Sequence, residues 1–557
     1  MRYFQEKHEV VQAVHSDLEL VPCLFQCLRQ CCKFVADAME GGIEWQALAT
    51  LPVAFSSLLP LSPTILFPAD VPVRCALTGQ GWATDYAALL LGSLGLKVAR
   101  LAGAEDMSPA QCWAASGGMA LTGTAALPLM APWPLASAVE GVARALQALV
   151  AASGRSLTWP LPDARTLGER AALAGLSRPA VATTTTMGTL GGAGRLLVTA
   201  DGALALSLPR TEDWAWLPAW LEVDVSFSAD DAGWQCLAQH LAGRATGPLI
   251  ERARLMGLAA AAAHFPPHVP DEPPCWLQVE HFDEAHGQDQ GQGQGAAKDG
   301  QTASWPRRAP LVVDLSALWA GPLCSHLLQH AGARVLKVES RQRPDGARLG
   351  PAPFFDLLNH GKESVVLDFS CPEALAWLRG LLLQADIVIE ASRPRALRQL
   401  GIVAEDILRL RPQLTWLSIS GYGRSVPAAA WIAYGDDAGV AAGLSADLFA
   451  LTGQWFFCAD AIADPLTGWH AALAALAGFY SGGGGLLSLS LVEVVRHCAQ
   501  FRRPDDGAAL RDRWQQWQQQ VGVSGSIMPP QARPIVGQAR PAGADTARVL
   551  AEFGRSC

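Results

Sequence analysis

Residues 310–340, "PLVVDLSALWAGPLCSHLLQHAGARVLKVES", change hydrophobic period twice within a short span. A β-branched run at Leu311–Leu315 gives way to a helix-like segment around Pro322–His330. Gly332 stops that segment, and a second strand follows at Arg334–Val338. Two strands joined by a helix form a β-α-β unit, and such units build parallel sheets. Further strand-like runs at Ser364–Asp368, Asp386–Glu390 and Leu414–Ser418 alternate with helix-like ones. The expectation is a parallel α/β sheet with crossovers, with ligands bound where strands end and loops begin. "SGGGG" at 481–485 lacks a following Lys-Ser/Thr and reads as a turn between elements, not a phosphate loop.

The same pattern recurs earlier, in "CALTGQGWATDYAALLLGSLGLKVARLAG". At one fixed offset Trp82 meets Trp319, Ala83 meets Ala320, Leu90 and Leu91 meet Leu327 and Leu328, Gly95 meets Gly332, and Val98 meets Val335. A second pair, "LASAVEGVARALQAL" (135–149) and "IADPLTGWHAALAAL" (462–476), sets Gly141 against Gly468. Its offset is 90 residues larger, so the first half lacks a stretch that the second half has, and that stretch carries most of the polar residues. The first half continues instead into a hairpin turning at 200–202, a helix opening with "TEDW", and another ended by Gly257. A Gly/Gln-rich segment at 286–310 reads as a flexible linker. The division expected is an N-terminal extension at 1–60, a first half at 61–270, a linker region at 271–310 and a second half at 311–557.

At 557 residues the chain is too long for one compact domain, and with half of its residues hydrophobic it can bury a large core. A formal charge of −9 and a pI near 5.8 argue against nucleic-acid binding. No uninterrupted apolar run reaches membrane-span length, and "MRYFQEKHEVVQ" lacks the layout of a secretory signal. The expectation is a soluble cytoplasmic protein with no membrane partner. The 13 cysteines include no CxxC pair. Cys23, Cys27 and Cys31 would share a helix face, read as small apolar thiols in preference to a metal site. No metal is expected.

The second half resembles the class III CoA-transferase family, which includes formyl-CoA and carnitine CoA-transferases and alpha-methylacyl-CoA racemase. The stretches that carry the resemblance are the 310–340 segment, "RPDGAR", "FFDLLNHGKESVVLDF", "ADIVIEASRPRALRQLGI", "LTWLSISGYG", "ADPLTGWHAALAAL" and "GADTARVLAEFG", in family order. The first half resembles the same family more weakly, through "SGGMALTG" and "DGALALSLPRTEDW". The resemblance implies a Rossmann-like parallel-sheet domain with a smaller α/β domain, here as two family-like halves in one chain. The assembly would be a homodimer or an intrachain pseudo-dimer. It also implies transfer of CoA between an acyl-CoA thioester and a free carboxylic acid through a covalent aspartyl intermediate. CoA thioesters enter as substrates, and no cofactor is held permanently.

The family's nucleophile is an aspartate at a helix start, spaced before a glycine for which Gly443 is the natural equivalent. The family spacing of eight residues falls on Gly435, a departure of one or two positions, with Asp436 nearest and Asp437 next; a helix cap without chemistry is the competing reading. The corresponding first-half residue is Pro109, so one active site per chain is expected at most. For CoA the resemblance points to Arg341, Arg343, Arg348, Asn359, Lys362, Ser392 and Arg393, near strand ends. Ala391 stands where the family has an asparagine. A racemase would need a second base, and no histidine lies between His360 and His470, which favours the transferase. A non-catalytic acyl-CoA-binding protein is the remaining alternative.

Overall fold

The computed structural model describes residues 66–67, 74–178, 186–263, 274–282, 305–306, 308–393, 395–524 and 527–554, all within one compact unit, Leu61–Cys557. The readings for Cys23, Cys27 and Cys31 and for most of segment 286–310 lie outside the described residues.

The first half opens with β1 (Arg74–Gln80), α1 (Trp82–Ser93) and β2 (Lys97–Glu105), and the two strands pair in parallel from Arg74↔Lys97 to Thr78↔Leu101. After a short helix at Pro109–Ala115 comes α2 (Leu135–Ala152), which is long and apolar enough to cross a membrane but is mostly buried inside the protein. A second sheet follows, of β3 (Thr186–Gly188), β4 (Gly194–Val198), β5 (Ala203–Ser207) and β6 (Ala259–Ala263), antiparallel and in sequence order. Helices at Thr211–Leu221, Asp231–Leu241 and Thr246–Leu255 cover one face of it. Leu204, Leu206, Trp220, Leu237 and Ile250 meet there in a core of their own.

The second half is a seven-stranded sheet. It comprises β7 (Gln278–His281), β8 (Leu311–Asp314), β9 (Arg334–Ser340), β10 (Glu363–Leu367), β11 (Ile387–Glu390), β12 (Thr415–Ser420) and β13 (Gly485–Ser490). Its order is β10-β9-β8-β11-β12-β13-β7. The first six strands are parallel and run 3-2-1-4-5-6, the doubly wound arrangement of dinucleotide-binding folds. Every residue of β11 and β13 is buried, as expected of a parallel sheet covered on both faces. β7 is antiparallel to β13, from Gly485↔His281 to Ser488↔Gln278. Residues 278–281 therefore belong to the sheet and not to a linker. The polar "QVEH" suits an edge strand, since only its inner edge meets the core. The glycine run after Ser481 is a turn into β13, with Gly482, Gly483 and Gly484 all at positive φ.

Three helices of this half matter for the site: α3 (Ala320–His330), α4 (Gly435–Ala441) and α5 (Ala463–Tyr480). One helix crossing occurs twice in the molecule. A Cβ on Gly141 of α2 would stand 2.8 Å from the carbonyl oxygen of Ala83 at the start of α1, and a Cβ on Gly468 of α5 would stand 2.8 Å from that of Ala320 at the start of α3. A mid-helix glycine costs about 1 kcal/mol relative to alanine. Here it lets two backbones touch, and α2 and α5 also pack on each other across the middle of the molecule. Gly468→Val should lower the urea midpoint of the full chain by an amount worth about 1–3 kcal/mol, because the obstructing atoms are backbone. Gly141→Val should do the same. Unchanged midpoints would mean that the crossings are looser than described.

Candidate active site

A cavity of about 190 Å³ opens at the carboxyl ends of β8, β11 and β12. Adjacent strands β8 and β11 are where the strand order reverses, the place where open α/β sheets hold ligands. The wall is made of residues 317, 318 and 320 ahead of and in α3, residues 391–393 after β11, residues 419–421 at the end of β12, segment 429–434 leading into α4, Leu491, and Asp464. Asp464 lies in the first turn of α5, an 18-residue helix, and is the one acid among the described wall residues. The positive end of such a helix favours a carboxylate.

The chain reaches Asp464 through a strained loop. Ala459 and Ala461 adopt φ of 52° and 45°, a region that alanine rarely occupies. First-half groups hold the loop there. Arg178 donates from Nη2 to the carbonyl of Ala459 at 2.7 Å, and the Ala459 amide donates to Thr122 Oγ1 at 2.9 Å. Arg170 forms a two-pronged ion pair with buried Asp460, its Nε 2.9 Å from Oδ2. Gly435 closes the other side. Its amide donates to Asp464, and any Cβ there would fall 2.3 Å from the Asp464 carboxylate.

Asp436 and Asp437 do not border the cavity. Asp436 accepts from the Ala461 amide at 2.9 Å, bracing the strained loop from the second half. Asp437 is fully buried, accepting from Ser207 Oγ at 2.9 Å and from the Tyr434 amide at 3.1 Å, so it caps α4 and ties it to the end of β5. The acids are hard to ionise. Burial, then the nearby Asp460, lifts Asp436 to about 6. Burial lifts Asp437 to about 7, against the Ser207 and Tyr434 hydrogen bonds. Burial also lifts Asp464 to about 7, with Arg170 opposing and Asp436 and Asp460 adding to the rise.

The model of CoA-transferase family III matches residues 310–523, the span that holds the doubly wound sheet, the strained loop and Asp464. Those residues belong to CoA-transferase family III. The chain is 30% identical over 209 residues to a succinate–glutarate CoA-transferase of Agrobacterium fabrum, covering 34% of this chain and 52% of that protein. It is 28% identical over 213 residues to a formyl-CoA:oxalate CoA-transferase of Escherichia coli, covering 36% of this chain and 51% of that one. The chain thus spans about half the length of these curated relatives. Among solved structures, a CaiB/BaiF family protein from Brucella suis is 26% identical with a TM-score of 0.30, covering 40% of this chain and 58% of that chain.

Within the family III region the predicted CoA contacts separate into groups. Ser392 and Arg393 line the cavity. Arg393 is half-buried, has no carboxylate partner among the described residues, and has its pKa lowered by burial and then by the like charges of Arg395, Arg210 and Arg343. Arg341 and Arg343 are exposed and off the cavity wall. Arg348 is taken up by an ion pair with Glu339 and by stacking over Phe355. Asn359 and Lys362 are corrections. Both are buried away from the cavity, and Lys362 donates to the Pro322 carbonyl at 2.9 Å and to Asn359 at 3.0 Å, beside Asp314. Burial pulls the Lys362 pKa down to about 8, against the attraction of Asp314.

Asp464 was in view without being singled out. It opens the family-like stretch "ADPLTGWHAALAAL" and stands opposite Ser137 when 462–476 is set against 135–149. Arg170, Arg178 and Thr122 carry no local signal, since they act across hundreds of residues.

Acids whose folded pKa is raised bind protons more tightly folded than unfolded. Stability is therefore full below the unfolded value near 3.8 and declines as pH rises through the folded values of about 6 to 7. These acids pull thermal midpoints down between pH 5 and pH 8, while buried His326, His330, His470 and His497, with lowered pKa values, pull them up over the lower part of that range. Asp437→Asn, which keeps an accepting oxygen without the charge, should therefore raise the midpoint at pH 8 relative to that at pH 5 when compared with the unaltered chain, the full effect of one such acid being on the order of 2–4 kcal/mol. An unchanged difference would show that Asp437 ionises freely.

Proposed function

We propose that the chain moves CoA between an acyl-CoA thioester and a free carboxylic acid, with Asp464 as the nucleophile. One observation carries this reading: the carboxylate on the wall of the switch-point cavity is Asp464, at the amino end of a long helix, and Asp436 and Asp437 stand behind it. The chemistry needs a carboxylate, a thioester and no proton. An Asp464 oxygen attacks the thioester carbonyl, the C–S bond breaks, and CoA leaves as thiolate with the acyl group held as a mixed anhydride. The thiolate attacks the aspartyl carbonyl, releasing the first acid and leaving an aspartyl-CoA thioester. The incoming acid attacks that thioester, again expelling CoA thiolate. The thiolate then takes the new acyl group, and the Asp464 carboxylate is restored. Each step exchanges one carboxylate or thiolate for another, so the thioester's free energy is conserved and not lost to water.

The Gly435 amide, aimed at Asp464, supports the oxyanion that develops on the aspartyl carbonyl. Arg393, with the exposed Arg343 and Arg395 near it, suits the phosphates of CoA. The first half contributes no second nucleophile, because Ser137 occupies the position of Asp464 at the start of α2. It contributes support, through Arg170, Arg178 and Thr122 on the loop and Ser207 on Asp437. The working unit on this reading is an intrachain pseudo-dimer with one site. No histidine stands among the described wall residues, which leaves a racemase without its second base.

Asp464→Asn should lower CoA exchange by about 10³-fold or more while the fold survives, as expected for loss of a covalent nucleophile. Asp436→Asn should cost about tenfold, through a looser loop, and Asp437→Asn less. Because the attacking form is the carboxylate and Asp464 titrates at about 7, kcat/KM should climb with pH and level off above that value. Full activity in Asp464→Asn, or a profile flat from pH 5 to 8, would overturn the assignment.

A further inference from the structure

We propose that Arg254, in the helix Thr246–Leu255 of the first half, is a positioning residue for the reaction: its guanidinium, stacked on Trp431, holds the segment between β12 and α4 against the cavity and, through it, the start of α4 beside Asp464. This rests on the transferase reading above and adds to it a first-half residue that stands off the cavity wall.

Three observations carry it. The first is how the segment is held. Gly421, Ala429, Trp431, Ile432, Ala433 and Tyr434 line the cavity, so much of the wall is this one connection. Its near end is tied down by Arg424, which donates to Glu390 at 2.8 Å and to Glu405 at 3.1 Å. Beyond that point the amides of Ala429, Ala430 and Trp431 donate to Ser425, Pro427 and Ala428, within the segment itself, and Ser425, Val426 and Pro427 are exposed. The second is the stack. The Arg254 guanidinium lies 3.9 Å from the centre of the Trp431 ring and 5.0 Å from that of Tyr422, and the Tyr422 ring meets Trp431 edge-on at 5.3 Å. A cation over an indole face is attracted to it, the more so where water is kept away. Arg254 has no carboxylate partner among the described residues, and its Nε is buried without a hydrogen bond, so the stack and not an ion pair accounts for its place. The third is what the segment leads into. Trp431 precedes Gly435, the first residue of α4, by a single short stretch, and Gly435 is clasped tightly: a Cβ there would fall 2.3 Å from the Asp464 carboxylate and 2.4 Å from the Ala461 carbonyl oxygen. The Gly435 amide donates to Asp464. A displacement of the segment by about 1 Å would draw that donor away from the nucleophile.

The test compares the full chain with Arg254→Met, which keeps an apolar stem without the charge or the flat fork. Hydrogen–deuterium exchange of peptides covering 424–436 should quicken about tenfold in the variant, while peptides of β8 and β11 keep their rates. With a panel of acyl-CoA thioesters and free acids, kcat/KM for CoA transfer should fall about tenfold, the cost of a loosened site. The rise of kcat/KM with pH should also move to higher pH, because a carboxylate that loses a hydrogen bond takes up a proton more readily. Arg170, Asp436 and Asp460, which also act on Asp464, stay in place in the variant. Arg254→Lys keeps the charge but stacks less well and should recover only part of each loss. Trp431→Ala should quicken the same peptides as much as Arg254→Met does, and the double variant no more than either, as expected of the two sides of one contact. Unchanged peptide rates in Arg254→Met, faster rates with kcat/KM and the pH profile unaltered, or full recovery in Arg254→Lys would overturn the proposal and leave the transferase reading standing. An unaltered chain that transfers no CoA would end the transferase reading itself, and this role with it.

Discussion

The conformation of the loop at 458–461 sets the position of Asp464. Two alanines held at positive φ cost on the order of 1–3 kcal/mol each, and relaxing them would swing the first turn of α5 and Asp464 with it. The strain persists because the loop is gripped from both sides. Arg178 and Thr122 hold Ala459, Arg170 holds Asp460, and Asp436 holds the Ala461 amide. Removing one member of the Arg170–Asp460 pair would leave the other buried and uncompensated, which makes the grip hard to lose piecemeal. Three of these four holders come from the first half of the chain.

That division of labour explains why a half without a carboxylate at Ser137 still belongs to the machine. The crossings at Gly141 and Gly468 repeat one backbone contact, so the two halves present similar helix pairs to each other. On the proposed reading the chemistry is on one side only. The antiparallel sheet adds a further brace, through Ser207 on Asp437 and through Arg254 stacked 3.9 Å from the Trp431 ring on the cavity wall. A chain so arranged keeps the reacting residue and its supports at fixed stoichiometry.

Much of this was legible in the residues. The β-branched runs marked five parallel strands to within about two residues, and the glycine run after Ser481 was readable as a turn because it lacked the Lys-Ser/Thr of a phosphate loop. β7 was not legible: "QVEH" is short, polar and set beside a Gly/Gln-rich stretch, and only its pairing with β13 makes it a strand. The placing of Asp464, and not Asp436 or Asp437, on the cavity wall shows a sharper limit. All three sit in the first turn of a helix, where an acid is favoured for capping alone. Which helix end faces the switch point depends on the strand order, and local pattern does not contain it. Asn359 and Lys362 misled for the mirror reason, since polar residues near strand ends serve the core as well as ligands. Arg170 and Arg178 have meaning only through contacts 290 and 281 residues away.

The central claim is that Asp464, and neither Asp436 nor Asp437, forms the covalent bond. It is tested most directly by incubating the chain with a mixture of acyl-CoA thioesters, trapping with hydroxylamine, and mapping the modified peptide by mass spectrometry. The account predicts a hydroxamate on Asp464 that requires acyl-CoA. A hydroxamate on Asp436 or Asp437, or none while CoA exchange proceeds, would contradict it.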